Sequence, residues 1–406
     1  MQIYSCAFEC INIELIHTKG IKSYGRGCFM RALSLFSNIG VAEAYLEELG
    51  VHVVLANEID NKRVDIYKHI YPQTEVVCGD ITDEAIYNEI ITKAHAMGID
   101  VIIATPPCQG MSTAGKLDEY DVRNQLIYHA VRVAKKLMPK YILFENVPLQ
   151  LRTKIDYSGK RIPIPEFLKF ELADIYHFED NVINTADYGV PQTRERAIFL
   201  LTRLDVEKEW KFPEKVNKIT TLHDAIGHLP QLDPLVYDVG YMEQLGMFPN
   251  YEINKAAALE ISRWHSPPRH VKRQVEVMRR TPTGNTAFNN TDRYLPRNKE
   301  GERVRGYKNT YKRQSWDQPA YTITMYNRTI SSQNNVHPGR YLGRDHDGMD
   351  LYSDARVLTV YELMLCMSLP GDWNLPPKIS ESFIRSVIGE GIPPLFIKKV
   401  FENLLK

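Results

Sequence analysis

Three short runs of this chain carry side chains able to do covalent chemistry. The first is Thr105-Pro106-Pro107-Cys108-Gln109-Gly110. Pro106 and Pro107 stop an apolar run and stiffen the backbone, and Gly110 frees it again. A thiol on such a base becomes a nucleophile when a polar or cationic setting favours the thiolate; otherwise it is a small buried hydrophobe. The second run, Glu145-Asn146-Val147, puts a carboxyl group at the end of another apolar stretch, as an acid or as the cap of a turn. The third, Gln192-Thr193-Arg194-Glu195-Arg196, offers two guanidinium groups. They either clamp an oxygen that gains charge during a reaction or lie at the surface ahead of a strand. Two further carboxylates suggest a cofactor. Glu58 could accept both hydroxyls of a ribose and Asp80 the amino group of adenine, although either could instead cap a helix. The loop Phe36-Ser37-Asn38-Ile39-Gly40 is not GxGxxG, so a pyrophosphate cradle for a nicotinamide cofactor is poorly supported.

These residues can cooperate only if the fold gathers them at one edge. Apolar runs at Ala32–Phe36, Val51–Ala56, Val76–Cys78, Val101–Ala104 and Tyr141–Phe144 alternate with helical stretches at Val41–Leu49, Asn61–His69, Asp83–Ala96 and Asn124–Leu137. The pattern predicts an α/β fold with a doubly wound, mostly parallel sheet, joined by strands at Val182–Asn184 and Arg196–Leu201. Such sheets bind ligands beyond the carboxyl ends of their strands, where strand order reverses. Glu58, Asp80, Cys108 and Glu145 all fall at such ends. After Arg203 the chain becomes rich in Pro, Gly, Asn, Arg and Tyr, and residues 205–350 read as a second, irregular and smaller domain. Residues 351–406 return to helices that complete the first domain, 31–204, and 1–30 form an extension.

Net charge is zero, but its distribution is uneven. Between Ile261 and Arg340 there are 16 Lys and Arg against 5 Asp and Glu, a local excess of +11 on an otherwise acidic chain. Such a face suits phosphates, or is simply a solvated surface. Cys6, Cys10, Cys28, Cys78, Cys108 and Cys366 lack metal-ligand spacing and read as free thiols, with no metal expected. No apolar run approaches the ~18 residues of a membrane span, and the first residues do not read as an export signal, so the expected location is the cytoplasm.

Taken in order, Pro106-Pro107-Cys108-Gln109, Glu145-Asn146-Val147 and Gln192-x-Arg194-x-Arg196 resemble the DNA (cytosine-5) methyltransferases. So do Asp121-x-Arg123-Asn124-Gln125-Leu126, Arg356-x-Leu358-Thr359-x-x-Glu362 and Gly389-Glu390-Gly391-Ile392-Pro393, and the likeness runs from Leu33 to Leu405. Two positions depart from the pattern. The first loop usually reads Asp-Leu-Phe-x-Gly-x-Gly-Gly, and here Ser34, Asn38 and Val41 replace Asp, Gly and the last Gly; the usual Gly-Asn near the end is Gly389-Glu390.

The resemblance implies a methyltransferase sheet with a target-recognition domain and S-adenosylmethionine as donor. The donor would be held by Phe36, Asn38, Ile39, Gly40, Glu58, Ile59, Asp80, Ile81, Pro106, Leu126 and Ile392. It also implies that Cys108 adds to carbon 6 of a flipped-out cytosine, Glu145 manages the proton at ring nitrogen 3, and Arg196 with Arg194 holds the 2-carbonyl oxygen: a nucleophile, an acid and an oxyanion-type clamp. Gln109, Ser112, Arg269, Thr283, Asn285, Thr324 and Arg328 become candidates for contact with double-stranded DNA. The implied setting is a monomer in the bacterial cytoplasm, at the nucleoid, with a restriction endonuclease as functional partner. Four other readings stand beside it: a transfer-RNA cytosine-5 methyltransferase, an inactive DNA-binding regulator on the same fold, a nicotinamide oxidoreductase, and a thiol hydrolase pairing Cys108 with His129.

Overall fold

The structure, a computed structural model, describes residues 29–107 and 121–406; Cys6, Cys10, Cys28, Cys108, Gln109 and Ser112 lie outside the described residues. The first half runs β1 (Met30–Leu35), β2 (Val51–Glu58), α1 (Asn61–Ile70), β3 (Glu75–Cys78), α2 (Glu84–Met97), β4 (Val101–Ala104), α3 (Leu126–Leu137) and β5 (Tyr141–Asn146). A hairpin β6 (Lys154–Tyr157) and β7 (Lys160–Pro163), α4 (Ile164–Leu172), β8 (Tyr176–Asn184) and β9 (Glu195–Arg203) follow. Seven of these strands form one sheet in the order β3-β2-β1-β4-β5-β9-β8. The strands from β3 to β5 pair in parallel, whereas β9 is antiparallel to both neighbours. Strand order reverses between β1 and β4, which is where a ligand crevice opens in such a sheet.

The central strands are buried on both faces, as their near-continuous apolar runs require: Val101–Ala104 and Tyr141–Phe144 are all inside. Helices begin where an aspartate can take up orphan amides. Asp60 accepts from Lys62 and Arg63, and Asp83 from Ala85. On one face of the sheet, Ile90 and Ala94 of α2, Ala130 and Val133 of α3, and Phe167 and Leu168 of α4 close the core.

The second half contains α5 (Leu222–Ile226), β10 (Leu235–Val236), α6 (Tyr241–Met247), α7 (Tyr251–Ile261), β11 (Arg269–His270), α8 (Lys272–Arg279), β12 (Tyr341–Arg344) and β13 (Asp350–Tyr352). It ends with α9 (Val360–Cys366), α10 (Glu381–Glu390) and α11 (Pro394–Leu405). The last helix returns to the sheet, where Phe396, Val400 and Phe401 pack with Leu143, Leu200 and Trp210 on the opposite face. Helices α5, α9 and α10 share a third apolar cluster with Ile39 and Val41. A fourth cluster, around Phe248, Tyr251, Val275, Met278, Tyr311 and Val336, belongs to the second half alone.

The structure departs from the sequence pattern in three places. Val41–Leu49 is not one helix but two 3-10 turns, Val41–Glu43 and Glu47–Leu49. Glu43 and Leu46, three apart, both face inward, and a three-residue period brings such positions onto one side. The hairpin β8–β9 is longer than expected, with nine residues in each strand. As the sheet edge, β8 exposes most of its side chains and so carries no apolar signal. Residues 205–350, expected to be irregular, hold the four short helices α5 to α8.

Around α9 the chain buries charge. Arg356 donates to Asp354 (2.8 Å), to both oxygens of Glu362 (2.7 and 2.9 Å) and to the Leu232 carbonyl (2.8 Å), with all three charged side chains fully inside. Glu362 also completes a capping box with Thr359 at the start of α9. Glu362→Gln removes one of the two buried carboxylates on Arg356, leaving Asp354, and the expected loss is about 1–3 kcal/mol in urea unfolding followed by circular dichroism. A variant as stable as the wild type would show that this cluster does not hold the C-terminal helices.

Glu43 gives a pH-dependent prediction. It is buried and accepts the Tyr67 hydroxyl, and burial pushes its carboxyl up to about 7 against the pull of bonds from Ser34 and Tyr67. The folded chain therefore keeps a proton that the unfolded chain releases, so stability falls as pH rises from 4.5 through 7. Glu43→Gln should remove that decline, and urea midpoints measured across the same pH interval would show two parallel curves if the idea is wrong.

Candidate active site

The ends of β4 and β5 are tied together by one side chain. Asn146, buried, donates from Nδ2 to the Pro106 carbonyl (3.0 Å) and accepts the Val147 amide at Oδ1 (2.8 Å). The backbone that leads into Cys108 is thus anchored one residue from Glu145. Glu145 lies opposite Ile198 in the antiparallel pairing of β5 with β9, which brings Arg196 alongside it. Arg196 Nε lies 2.7 Å from Glu145 Oε1, and its Nη1 donates to the Glu195 carbonyl (2.7 Å). Both side chains are nearly closed to water. Burial raises the Glu145 carboxyl above its ordinary range and outweighs the opposing pull of Arg196 and then Arg194. The pair is therefore a carboxyl group that can retain a proton beside a fixed cation.

Arg194 is buried and takes a different place. It donates to the carbonyls of Ile323 (2.7 Å), Gly389 (2.7 Å) and Glu390 (3.3 Å), and it acts on Glu145 through its charge. Gln192, two residues earlier, accepts the Ile323 amide (2.9 Å) and donates to Met367 Sδ (2.9 Å). Backbone bonds between Pro191 and Ala320 and between Thr193 and Ala320 complete the seam. A Cβ on Gly389 would sit 2.4 Å from the Thr324 carbonyl, so only glycine lets α10 approach this closely. Apart from Glu145 and its neighbours, then, the Gln192–Arg196 run joins the sheet to residues 320–324 and to the end of α10. Nothing in the local pattern of Gln192 signals that role.

The other end of the crevice is built from the loop after β1. Phe36, Asn38 and Gly40 all adopt left-handed backbone, and a Cβ on Gly40 would lie 2.2 Å from the Tyr71 ring. Glu58 is held rigidly: Oε2 accepts the Asn38 amide (2.9 Å), and Oε1 accepts those of Ile59 and Asp60 (3.0 Å each). Ile59 leaves 61% of its surface exposed at the strand end, and Asp80 is exposed with Oδ1 on the Thr82 amide (2.9 Å). Phe36 and Leu126 are half-buried beside the core, and Pro106 is buried. Ile39, Ile81 and Ile392 turn their side chains into the interior, which leaves only their backbone for a ligand. Asn38 Oδ1 is buried without a hydrogen-bond partner. These groups fit an adenosine with a polar tail: carboxylates for hydroxyls and an amino group, an exposed apolar face for the ring, and an acceptor awaiting an N–H. Glu390, one of the two departures from the family pattern, pairs at the same end with Arg63, which the pattern does not mark.

The candidates in the second half are more dispersed. Arg269 and Arg328 are exposed, as is Asn285, while Thr283 spends its hydroxyl on the Pro338 carbonyl (2.9 Å). Thr324 is half-buried at the seam beside Gly389. Several cations of the basic stretch serve the fold. Arg313 is buried on the carbonyls of Met278, His337, Ser353 and Asp354, the half-buried Arg340 donates to those of Gly227 and Leu229, and Arg280 pairs with Asp345. Among the described residues no group of His, Cys, Asp and Glu is placed to hold a metal, and no helix is long and apolar enough to cross a membrane.

Comparison with known proteins gives the family. The model of the C-5 cytosine-specific DNA methylases matches residues 30–406. The type II methyltransferase M1.HgaI of Avibacterium volantium is 42% identical over 377 residues, which are 92% of this chain and 97% of that protein. The type II methyltransferase M1.HphI of Haemophilus parahaemolyticus is 29% identical, over 92% of this chain and 86% of its own. Among solved structures, a DNA modification methyltransferase encoded within an Escherichia coli prophage superposes with a TM-score of 0.63 at 21% identity, covering 92% of this chain and 98% of that one, a likeness of fold. These matches set aside the RNA, oxidoreductase, hydrolase and inactive-regulator readings. The chain belongs to the C-5 cytosine-specific DNA methylases, the DNA (cytosine-5-)-methyltransferases that take their methyl group from S-adenosylmethionine.

Proposed function

We propose that this protein is the modification enzyme of a type II restriction–modification system, a monomer acting on double-stranded DNA in the bacterial cytoplasm, with a restriction endonuclease as its functional counterpart. Two type II methyltransferases that align with 92% of this chain, at 42% and 29% identity, support the setting. Residues 31–204 with 351–406 form the catalytic domain, and 205–350 the target-recognition domain. The return of α11 to the sheet and the separate cluster around Met278 and Val336 support that division.

The observation that carries the mechanism is the buried Glu145–Arg196 pair, one bonded strand away from the Pro106 carbonyl that leads into Cys108. A cytosine inside a duplex is out of reach of such a pair, so the target nucleotide is flipped out of the stack. Cys108 thiolate adds to carbon 6, and the ring electrons move toward carbon 5 and nitrogen 3. Glu145, whose carboxyl burial pushes above its ordinary range, gives a proton to nitrogen 3 and takes it back as Cys108 leaves, and Arg196 holds the 2-carbonyl oxygen as charge develops there. When bound, S-adenosylmethionine supplies an electrophilic methyl group to carbon 5. Water takes the proton that leaves carbon 5, and the electron pair left behind expels Cys108. Arg194 raises the positive potential on Glu145 and keeps the strand lead-in docked. Glu58, Asp80, Ile59 and the 36–40 loop hold the donor, and Arg269, Asn285 and Arg328, with Thr283 and Thr324 and with Gln109 and Ser112 on sequence grounds, are the DNA-binding residues.

Two predictions follow from these roles. On DNA containing 5-fluorocytosine, carbon 5 cannot release a proton, so the enzyme should remain covalently attached with S-adenosylmethionine present; Cys108→Ala should form no such complex. An adduct that survives Cys108→Ala would remove Cys108 from the mechanism. Glu145→Gln should lower kcat by roughly 10²–10⁴-fold while leaving equilibrium binding of S-adenosylhomocysteine unchanged. Loss of donor binding in step with kcat would assign Glu145 to the fold instead.

A further inference from the structure

Glu390, the last residue of α10, sits against the loop that follows β1. Arg63 of α1 reaches both of its oxygens, with Nη1 2.9 Å from Oε2 and Nη2 3.2 Å from Oε1, and Asn38 Nδ2 approaches Oε2 at 3.4 Å. The same Asn38 gives its backbone amide to Glu58 at 2.9 Å. Glu58 and Glu390 thus share one neighbour, and the charge of Glu58 adds to burial in pushing the Glu390 carboxyl upward. Among the described residues Arg63 pairs with Glu390 alone, Glu58 is held by backbone amides, and the adjacent Lys62 is turned onto the Phe383 ring, 3.9 Å from its centre. Glu58 and Glu390 together thus bring two acidic side chains against the one basic side chain of Arg63 at a site largely shielded from water, where a further positive charge is favoured.

A second observation points the same way. Asn38 Oδ1 is buried with no hydrogen-bond partner, although its own Nδ2 is used on Val387 and Glu390. An unfilled acceptor beside an excess of acidic side chains calls for a ligand group that is cationic and carries N–H donors. The amino-acid end of S-adenosylmethionine carries one such group, its α-ammonium. Both positions are those at which this chain departs from the usual Gly and Asn, and the two departures touch each other.

We infer that Glu390 and the side-chain oxygen of Asn38 hold the α-ammonium of the methyl donor, with Arg63 as the positioning residue that fixes the Glu390 carboxylate. The inference rests on S-adenosylmethionine being bound in the crevice at Glu58 and adds the anchor for its amino-acid end.

The test is equilibrium binding by calorimetry, with no turnover involved. Wild type, Glu390→Gln and Arg63→Met are each titrated with S-adenosylhomocysteine and with its analogue lacking the α-amino group. The wild type should bind the analogue about 10–100-fold more weakly, the range expected for a hydrogen-bonded charge. Glu390→Gln should distinguish the two ligands by no more than about 3-fold, and Arg63→Met should fall between. Equal affinity of the wild type for both ligands overturns the inference without any variant being made. Equal weakening of both ligands in Glu390→Gln also overturns it, because the residue would then act only as a latch between α10 and the loop. Failure of the wild type to bind S-adenosylhomocysteine at all, or loss of that binding only on Glu58→Ala, separates an error about the crevice from one about Glu390: the first sinks both, and the second, with discrimination kept in Glu390→Gln, sinks the Glu390 assignment alone.

Discussion

A carboxyl group and a guanidinium meet at the end of β5 in a place almost closed to water, and the surrounding architecture exists to make that meeting tolerable. Removing both charges from solvent is costly unless geometry is held tightly. Glu145 and Arg196 are held by a strand pairing rather than by a flexible side-chain reach. The antiparallel direction of β9 matters here. Because β9 enters the sheet at the end where β5 leaves it, the residues preceding β9 lie at the ligand edge. A parallel strand would put its lead-in at the far end of the sheet. One reversed strand therefore places Arg196 beside Glu145 and leaves Gln192–Arg194 to join the second half of the chain.

That junction shows a device used throughout the molecule. Segments without regular structure cannot satisfy their own carbonyls, and buried carbonyls need partners. Arg194, Arg313, Arg356 and Arg385 are all buried, and each donates to a backbone carbonyl of an irregular stretch, those of Ile323, His337, Leu232 and Leu358 in turn. The planar, always charged fork of arginine suits the task, since it serves several acceptors from one point. A share of the basic charge between Ile261 and Arg340 is accordingly internal scaffolding rather than a phosphate-facing surface, and acidic residues just beyond it, Asp345 and Asp347, pair with Arg280 and Arg293.

The sheet was legible in the sequence because a strand buried on both faces must be apolar throughout, and Val101–Ala104 and Tyr141–Phe144 read that way unaided. The edge strand β8 was legible only at its last residues, because solvent covers most of it. The turn at Val41–Glu43 was misread as helix because the buried member of the pattern, Glu43, is a carboxyl group whose inward orientation depends on Tyr67. At the site, residue types and order pointed to Glu145 and Arg196 as a pair, whereas Arg194 and Arg196, two apart and alike in the pattern, turn out to have different surroundings.

Local composition by itself thus determined the α/β alternation, the strand ends at which Glu58, Asp80 and Glu145 stand, and the family to which these motifs pointed. Each depends on neighbours a few positions away, through strand and helix periodicity or the stiffness of consecutive prolines. Tertiary structure alone decided that Arg194 spans Ile323 and Gly389, that Glu390 meets Arg63 and Asn38, and that Glu43 is buried. Those contacts join segments distant in the chain, and the energy of a buried charge is set by whatever the fold brings within a few ångströms of it, which no local pattern encodes.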